Sequence, residues 1–229
     1  MSGARLHHGA TVEAVIADGA ASLGVVLTPA QHARLAAYVA LVGRWQHVTN
    51  LTGDADPRRF AAAHVVDCLA LVPHLGAGPV VDVGSGAGLP GIVLAVACPQ
   101  AAFTLVEPRA RRARFLTQAR IELGLANVAV AGTRVEDLRP AAPVDLVVSR
   151  ALGSLVDFLA AVDHLVGPAT RVMAMKGALD HADLAAAEAA FGPAEVIALA
   201  VPGFAARHLV VFRPVARPRA PAGARADVP

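Results

Sequence analysis

The stretch Val81-Asp82-Val83-Gly84-Ser85-Gly86-Ala87-Gly88-Leu89-Pro90-Gly91 carries the strongest local signal in the chain. It begins inside a short apolar run, which predicts a buried strand. Glycines follow at once, and after them comes an apolar segment typical of a helix. Glycine at a strand-to-helix turn lets the backbone approach a ligand without interference from a Cβ atom. The stretch therefore predicts a ligand-binding loop at the carboxyl end of a strand.

Strands and helices alternate downstream of this loop. The sequence predicts strands at 80–83, 103–106, 128–130, 144–148, 171–175, 195–201 and 208–212, and helices at 89–97, 109–123, 154–165 and 182–190. Such alternation predicts an α/β fold with a largely parallel, doubly wound sheet. No helix separates the last two strands, so we expect one edge of the sheet to be antiparallel.

The segment before the loop has a helical pattern instead. A short helix is expected at 11–20, Thr28-Pro29 predicts the start of a second helix, and a third is expected at 57–72. Apolar residues recur at helical spacing in the second helix, which gives it one buried face. We divide the chain into an unstructured leader (1–10), a helical extension (11–75), the α/β domain (76–213) and a disordered tail rich in Arg and Pro (214–229).

Composition excludes several classes of protein. The formal net charge is +2 and 55% of residues are hydrophobic, but no apolar run reaches the roughly 18 residues of a membrane span. The first residues lack the apolar segment of a signal peptide. Cys68 and Cys98 lie in apolar runs, which predicts buried thiols in a reducing cytoplasm rather than a disulfide framework or a metal site. Nothing demands a dimer, so a monomer is expected.

Two ligands compete for the glycine loop. Gly86-x-Gly88-x-x-Gly91 matches the dinucleotide pattern, but a count from Gly84, directly after the strand, puts Leu89 at the third glycine position. The methionine end of S-adenosylmethionine is zwitterionic, and the acid and backbone of Asp82-x-Gly84-x-Gly86-x-Gly88 suit it. We therefore predict that Asp82, Gly84, Gly86, Gly88 and Leu89 bind this methyl donor, with a nicotinamide dinucleotide as the alternative.

Carboxylates after the next two strands add to this interpretation. Glu107 closes the second strand, where its two oxygens can accept both hydroxyls of a ribose. NAD-binding proteins use the same device, so Glu107 does not separate the two ligands. Val135 and Glu136 follow the third strand, where an adenine ring would meet an apolar contact and one polar group.

The order and spacing of these blocks resemble the RsmG (GidB) family, which methylates guanine N7 in bacterial small-subunit ribosomal RNA. The matching blocks, spread over about 35–212, are Trp45-x-x-x-x-Asn50-Leu51-Thr52, His64-x-x-Asp67, Asp82 to Gly91, Arg134-Val135-Glu136, Ser149-Arg150-Ala151, Lys176-Gly177 and Arg207-His208-Leu209-Val210. The two ends of the chain depart from the family pattern.

This resemblance implies a class I S-adenosylmethionine-dependent methyltransferase fold. That fold is Rossmann-like, with a mostly parallel seven-stranded sheet that has an antiparallel edge, here preceded by an N-terminal helical extension. The resemblance also implies S-adenosylmethionine as cofactor and 16S ribosomal RNA or the small ribosomal subunit as partner. The family's donor contacts would fall on Gly84, Leu89, Glu107, Val135, Glu136 and Arg150.

The chemistry of guanine N7 fits what the sequence lacks. N7 carries an in-plane lone pair and no proton, so methyl transfer needs positioning and electrostatics rather than a general base. There is no Asn/Asp-Pro-Pro-Tyr/Phe run and no Pro-Cys nucleophile, since Cys98-Pro99 has the reverse order. We predict that Arg150, at the end of the fourth strand, positions the guanine or a phosphate. The alternative is a salt bridge with Asp145 or Glu136.

Further residues are candidates for RNA binding. Asn50, His64 and Asp67 could form a lid over the donor or contact RNA, although a His–Asp pair that braces the helices is an equal alternative. Lys176 is the single lysine and ends a strand, where it could contact a phosphate, unless its identity is chance. Arg207 and His208 begin the last strand and could contact RNA or simply lie at the surface.

Arginines cluster at the start of the helix beside the cofactor. Arg109, Arg111, Arg112 and Arg114 lie where the helix dipole disfavours positive charge, which favours phosphate contacts and salt-sensitive RNA binding. The alternative is a solvated helix face. Two other functions stay open: a small-molecule methyltransferase, and a non-catalytic donor-binding module that interacts with RNA.

Overall fold

The computed structural model describes residues 10–49, 51, 53, 56–150 and 153–213. Its centre is a seven-stranded sheet: β1 (Val80–Val83), β2 (Phe103–Val106), β3 (Val128–Ala131), β4 (Leu146–Arg150), β5 (Arg171–Lys176), β6 (Ala194–Ala198) and β7 (His208–Phe212). The strands lie in the order β3-β2-β1-β4-β5-β7-β6. The first five are parallel, whereas β7 is antiparallel to β5 and to β6. The predicted fold class is confirmed, including its antiparallel edge.

Helices cover both faces of the sheet. The chain forms α1 (Val12–Ser22), α2 (Pro29–Thr49), α3 (Pro57–Phe60), α4 (Val66–Leu69), α5 (Gly91–Ala97), α6 (Ala110–Glu122), α7 (Leu155–Val162) and α8 (His181–Phe191). Short 3-10 turns lie at Val72–His74, Val135–Asp137 and Asp163–Leu165. None of the described helices is both long and apolar enough to cross a bilayer.

Alternate strand residues supply two separate cores. In β4, Leu146 and Val148 pack with the α1, α2, α5 and α6 side of the sheet, while Val147 packs with α7 and α8. This alternation follows from the period of two along a strand. Both faces are buried, as is usual for parallel sheets, and the carboxyl ends of β1 to β5 therefore remain as the edge where a ligand can bind.

Side chains at the helix starts explain where several helices begin. The predicted start of α2 is confirmed, and Thr28 and Gln31 form a reciprocal capping box there, with the Thr28 N–H donating to Gln31 Oε1 at 2.7 Å. Asp56, Ser154 and Asp180 cap α3, α7 and α8 by accepting backbone N–H bonds. These polar side chains satisfy donors that the first helical turn leaves without partners.

Several predicted elements differ from the structure. The fourth strand begins at Leu146 rather than at residue 144, and the strand predicted at 195–201 is Ala194–Ala198, because its pairing with β7 ends at Ala198 and His208. The helix expected at 57–72 is interrupted, because Ala61–Val65 forms a π-helical turn between α3 and α4. The fourth strand ends at Arg150, which agrees with the expected position of Arg150 but not with the predicted range 144–148, since its register with β5 pairs Arg150 with Met175. The predicted tail, the predicted leader apart from Ala10, and Asn50 lie outside the described residues.

Candidate functional site

A cavity of about 560 Å³ lies at the carboxyl edge of the sheet, where β1, β2 and β4 end. Its volume is in the range of small-molecule and cofactor sites. It lies beside the point where the strand order reverses between β1 and β4, the usual ligand position in such sheets. The lining residues are Val83, Gly84, Val106, Glu107, Pro108, Arg109, Arg112, Arg134, Val135, Glu136, Arg150, Gly153, Ser154, Asp157, Phe158 and Ala161.

Glu107 is fixed in this cavity by backbone donors. Its side chain follows β2 and the residue is only 3% exposed. Oε2 accepts the Gly86 N–H at 3.0 Å, and Oε1 accepts the Arg109 N–H at 2.9 Å. A carboxylate has about four acceptor positions, so each oxygen keeps capacity for one more donor. The geometry fits the predicted grip on two ribose hydroxyls.

The glycine loop divides into a part that faces the cavity and a part that packs behind it. Gly84 lines the cavity and has a φ of +70°. Gly88 lies behind, where an added Cβ would come 3.2 Å from the Leu116 side chain and would also overlap Ile92. Leu89 is buried in the core. A contact of Gly86, Gly88 or Leu89 with the donor stays a prediction.

Asp82 supports the loop from beneath. Its side chain is fully buried, and Oδ2 accepts the Gly91 N–H at 3.0 Å. Its backbone carbonyl accepts the Ser85 hydroxyl at 3.0 Å. Oδ1 is buried and lacks a hydrogen-bond partner among the described residues. Asp82 is absent from the lining of the cavity, so its contacts in the structure are with the loop, and direct contact with the donor stays a prediction.

Arg150 is held by residues of the N-terminal helices. Its Nη1 donates to Asp67 Oδ2 at 3.3 Å and lies 3.1 Å from His64 Nδ1. A guanidinium can only donate, so this contact is a hydrogen bond in the tautomer of His64 whose Nδ1 carries no proton. The alternative of a salt bridge with Asp145 or Glu136 is wrong within the described residues, because the ion-pair partner of Arg150 is Asp67.

Asp67 also binds a second arginine. The residue is 2% exposed, and Oδ1 accepts the Nε of Arg207 at 2.8 Å. Arg207 directly precedes β7, and Asp67 therefore joins the ends of β4 and β7 through one carboxylate. The prediction that His64 and Asp67 share one helix face agrees with their common contact to Arg150.

Lys176 and His208 contact protein groups at the ends of β5 and β7. Lys176 Nζ donates to the Gly153 carbonyl at 2.6 Å and lies 3.9 Å from Asp183 Oδ2. Asp183 also accepts the Leu155 N–H, so the two side chains hold the segment after β4 from both sides. His208 Nδ1 lies 2.7 Å from the Gly177 carbonyl. Phosphate or RNA contact by Lys176 and His208 stays a prediction.

The arginine cluster divides between the cavity and the surface. Arg109 precedes α6 and lines the cavity together with Arg112, one turn further on. Arg111 and Arg114 are exposed on the same helix. The cluster therefore extends from the cavity to the surface, and RNA contact by Arg109, Arg111 and Arg112 stays a prediction.

Sequence reasoning missed several residues of this region, among them Asp157, Phe158 and Tyr38. Asp157 and Phe158 line the cavity from the first turn of α7, and the Ser154-x-x-Asp157 capping pattern could have placed that helix start at the ligand edge. Tyr38 of α2 is fully buried and donates its hydroxyl to the Ala87 carbonyl at 2.7 Å. Burial raises the pKa of the Tyr38 phenol well above its usual value. No local pattern links Tyr38 to a loop so far along the chain.

Metal binding and thiol chemistry find no support in the described part of the chain. No group of three or more His, Cys, Asp or Glu side chains there could hold a metal ion. Cys68 and Cys98 are free and buried, as predicted. Burial raises the pKa of the Cys68 thiol to about 12, so this thiol stays protonated at neutral pH.

Comparison with known proteins matches this chain to one family over most of its length. Residues 31–210 match the model of the family described as rRNA small subunit methyltransferase G. A ribosomal RNA small subunit methyltransferase G from Nitrosospira multiformis is 44% identical over 206 residues, covering 86% of this chain and 95% of the relative. The protein of the same name from Aromatoleum aromaticum is 45% identical, covering 87% and 97%.

A solved structure supports the fold. The crystal structure of a SAM-dependent methyltransferase from Aquifex aeolicus aligns with a TM-score of 0.52 at 17% identity. The alignment covers 68% of this chain and 92% of that chain. At this identity the likeness concerns the arrangement of the sheet and helices alone.

Proposed function

The chain belongs to the rRNA small subunit methyltransferase G family, and on this premise we propose that it transfers the methyl group of S-adenosylmethionine to N7 of a guanine in the 16S ribosomal RNA of the small subunit. One observation carries the proposal beyond the family: a single cavity has Glu107 on one strand end and Arg150 on another. A carboxylate for a ribose and a cation for a nucleotide are thereby combined at one sheet edge.

The lining residues fit the methyl donor. Glu107 would accept the ribose hydroxyls, since both oxygens keep acceptor capacity beside their backbone donors. Val135 and Phe158 would contact the adenine through apolar surface. The Gly84 backbone would lie beside the methionine end. The donor supplies an electrophilic methyl group on a sulfonium, which leaves as a neutral thioether.

The residues around the cavity suit a nucleophile that carries no proton. Among the described lining residues there is no histidine, cysteine, lysine or tyrosine, and the carboxylates present are Glu107, Glu136 and Asp157. Guanine N7 needs none of these as a base, because its lone pair attacks directly. The contribution of Arg150 would be to hold the base in line with the methyl group, a positioning effect. Its own orientation is set by Asp67 and His64.

The basic surface favours RNA over a small molecule. Arg109 and Arg112 line the cavity, and Arg111 continues the positive charge outward along α6. A small-molecule methyltransferase would use an apolar cover at this place. A ribosomal substrate would place the enzyme in the cytoplasm.

Transfer of labelled methyl groups tests the proposal. Small subunits and deproteinised 16S RNA from a deletion strain are incubated with the protein and labelled donor, and the product is mapped by mass spectrometry of nuclease fragments. We expect 7-methylguanosine at a single position. Label on another base, or none on either RNA, would contradict the proposal.

The matched pair Glu107→Gln and Glu122→Gln ties this activity to the cavity. Glu107→Gln leaves one backbone N–H opposite an amide N–H and should weaken donor binding by roughly tenfold or more. Glu122 lies exposed at the end of α6, where it pairs with Arg44, so its substitution should leave the dissociation constant unchanged. Calorimetric titration measures both.

A further inference from the structure

Arg207 and Phe204 form a flat cationic surface next to the cofactor cavity. The Cζ of Arg207 lies 3.7 Å from the centroid of the Phe204 ring. Its Nε is tied to Asp67 at 2.8 Å, and its Nη1 donates to the Ala206 carbonyl at 3.3 Å. These contacts fix both the tilt and the rotation of the guanidinium. The Arg207 side chain as a whole is nevertheless 23% exposed, so it is not closed off from solvent.

The position of Arg207 places it at the reactive edge of the sheet. An added Cβ on Gly177, the residue after β5, would lie 3.3 Å from Arg207 Nη1. Asp67 binds Arg207 through one oxygen and Arg150 through the other. Arg150 lines the cofactor cavity, whereas Arg207 is not among its lining residues. Arg207 therefore lies outside the cavity lining but is connected through Asp67 to Arg150, on the side of the cavity away from Glu107.

We propose that Arg207, supported by Phe204, is the platform on which the target guanine stacks. This inference rests on the proposed function and adds a subsite to it. Unstacked RNA bases are commonly held on aromatic rings or on guanidinium planes. Phe204 occupies one face of the Arg207 guanidinium, and the base would occupy the other. Arg207 is then a substrate-binding residue, and Phe204 and Asp67 are positioning residues.

Stacking suits this reaction better than an edge-on contact. An arginine that recognises guanine in a duplex donates to both O6 and N7. Here N7 must keep its lone pair directed at the donor methyl group, so a hydrogen bond to N7 would oppose the transfer. A face-on contact leaves every atom on the edge of the base accessible.

Asp67 also reduces the electrostatic repulsion that stacking would create. Methylation at N7 gives the base a positive charge, which a bare guanidinium would repel. The buried carboxylate of Asp67 lies within 2.8 Å of Arg207 and 3.3 Å of Arg150, so it offsets positive charge at the place where more develops. Its position between the two arginines thus serves binding and charge compensation together.

The test compares Arg207→Lys with Arg213→Lys. The first substitution keeps the positive charge and removes the planar guanidinium. The second makes the same change at an exposed arginine that pairs with Glu195 at the antiparallel edge. With small subunits as substrate, Arg207→Lys should raise the apparent KM for subunits by roughly 5- to 100-fold, with the donor dissociation constant within about twofold of wild type. Arg213→Lys should leave both values unchanged.

Phe204 gives the second arm. Phe204→Leu should raise the KM for subunits, whereas Phe204→Tyr, which keeps the aromatic ring, should leave it close to the wild-type value. Unchanged KM and kcat in Arg207→Lys would overturn the platform, and so would an equal loss of donor binding, which would place Arg207 in the cofactor site. If the wild-type protein methylates no small-subunit RNA, the proposed function fails. Filter binding of subunits then still decides the platform, because equal retention of wild type and Arg207→Lys would refute it.

Discussion

Asp82 shows how one buried residue can make the glycine loop sensitive to pH. The carboxyl is fully buried, donors reach only Oδ2, and Oδ1 has no partner within the described residues. Burial raises the pKa of Asp82 from 3.8 to about 7, against the lowering effects of the Ser85 hydroxyl, the Gly91 N–H and Arg150. The charged form is therefore disfavoured in the folded protein at the pH where an exposed aspartate is fully ionised.

We expect Asp82→Asn to stabilise the cofactor-free protein progressively between about pH 4 and pH 7. Below this window the carboxyl is protonated in both the folded and the unfolded state, so its ionisation does not lower the free energy of unfolding. Within it the unfolded state ionises while the folded state stays protonated, so wild-type stability falls as pH rises, by as much as about 4 kcal/mol in total. Above pH 7 the difference becomes constant. Urea unfolding from pH 4.5 to 8 measures it, and parallel curves for the two proteins would show that Asp82 does not titrate in this range.

At the level of elements, the turn from β1 into α5 depends on close packing at Gly91. A Cβ at this position would lie 2.6 Å from Asp82 Oδ2 and would overlap the Leu105 side chain. We expect Gly91→Ala to lower the free energy of unfolding by about 1–3 kcal/mol through overpacking. Donor binding should weaken as well, because the shift disturbs the loop that holds Glu107.

The control for this substitution is Gly43→Ala in the exposed part of α2. Nothing lies within 4 Å of a Cβ built on Gly43. Alanine there should stabilise the helix by about 0.5–1 kcal/mol. Thermal unfolding and donor titration of both variants check the pair, and equal stability of the two would remove the packing argument.

The elements that the sequence predicted well are those with strong local patterns. The start of α2 has a Thr-Pro signal, and β1, β2 and β7 are apolar runs whose predicted bounds are observed. The π-helical turn at Ala61–Val65 could not be predicted, because an alanine run favours an ordinary α-helix. Its His64 contacts Arg150, which is 86 positions along the chain. Such a contact has no signature within the helix itself.

At the scale of the whole molecule, some residues of the candidate site were predictable from local sequence patterns, whereas the contacts that orient them were not. Gly84, Glu107, Val135, Glu136 and Arg150 were predicted one strand at a time, and they line one cavity because the ends of parallel strands share an edge. The partners of Arg150 and Arg207 were not predictable, since Asp67 lies 83 and 140 positions away from them. Local patterns name the residues at the edge, whereas only tertiary packing decides what orients them.

The helical residues before the sheet share their core with it. Ile16, Leu35 and Tyr38 belong to the same buried cluster as Phe103 and Leu146 of the strands. We therefore propose that the extension at 11–75 and the α/β domain at 76–213 unfold as one cooperative unit. Leu35→Ala should lower the free energy of unfolding of that whole unit by about 2–5 kcal/mol, whereas Val26→Ala, at a side chain that is 94% exposed, should change it by less than about 0.5 kcal/mol.

The chain's one tryptophan makes this cooperativity measurable. Trp45 of α2 packs against Phe115 of α6, with ring centroids 5.7 Å apart, so its fluorescence reports on the contact between extension and domain, while far-UV circular dichroism reports on all helices. If the two parts unfold together, both signals should give one midpoint in urea, and Leu35→Ala should move both midpoints equally. A fluorescence midpoint below the dichroism midpoint would mean that the extension detaches first. In that case the hydrogen bond from the Tyr38 hydroxyl to the Ala87 carbonyl of the glycine loop would break before the sheet unfolds. Donor binding should then decline over the same urea range as the fluorescence signal.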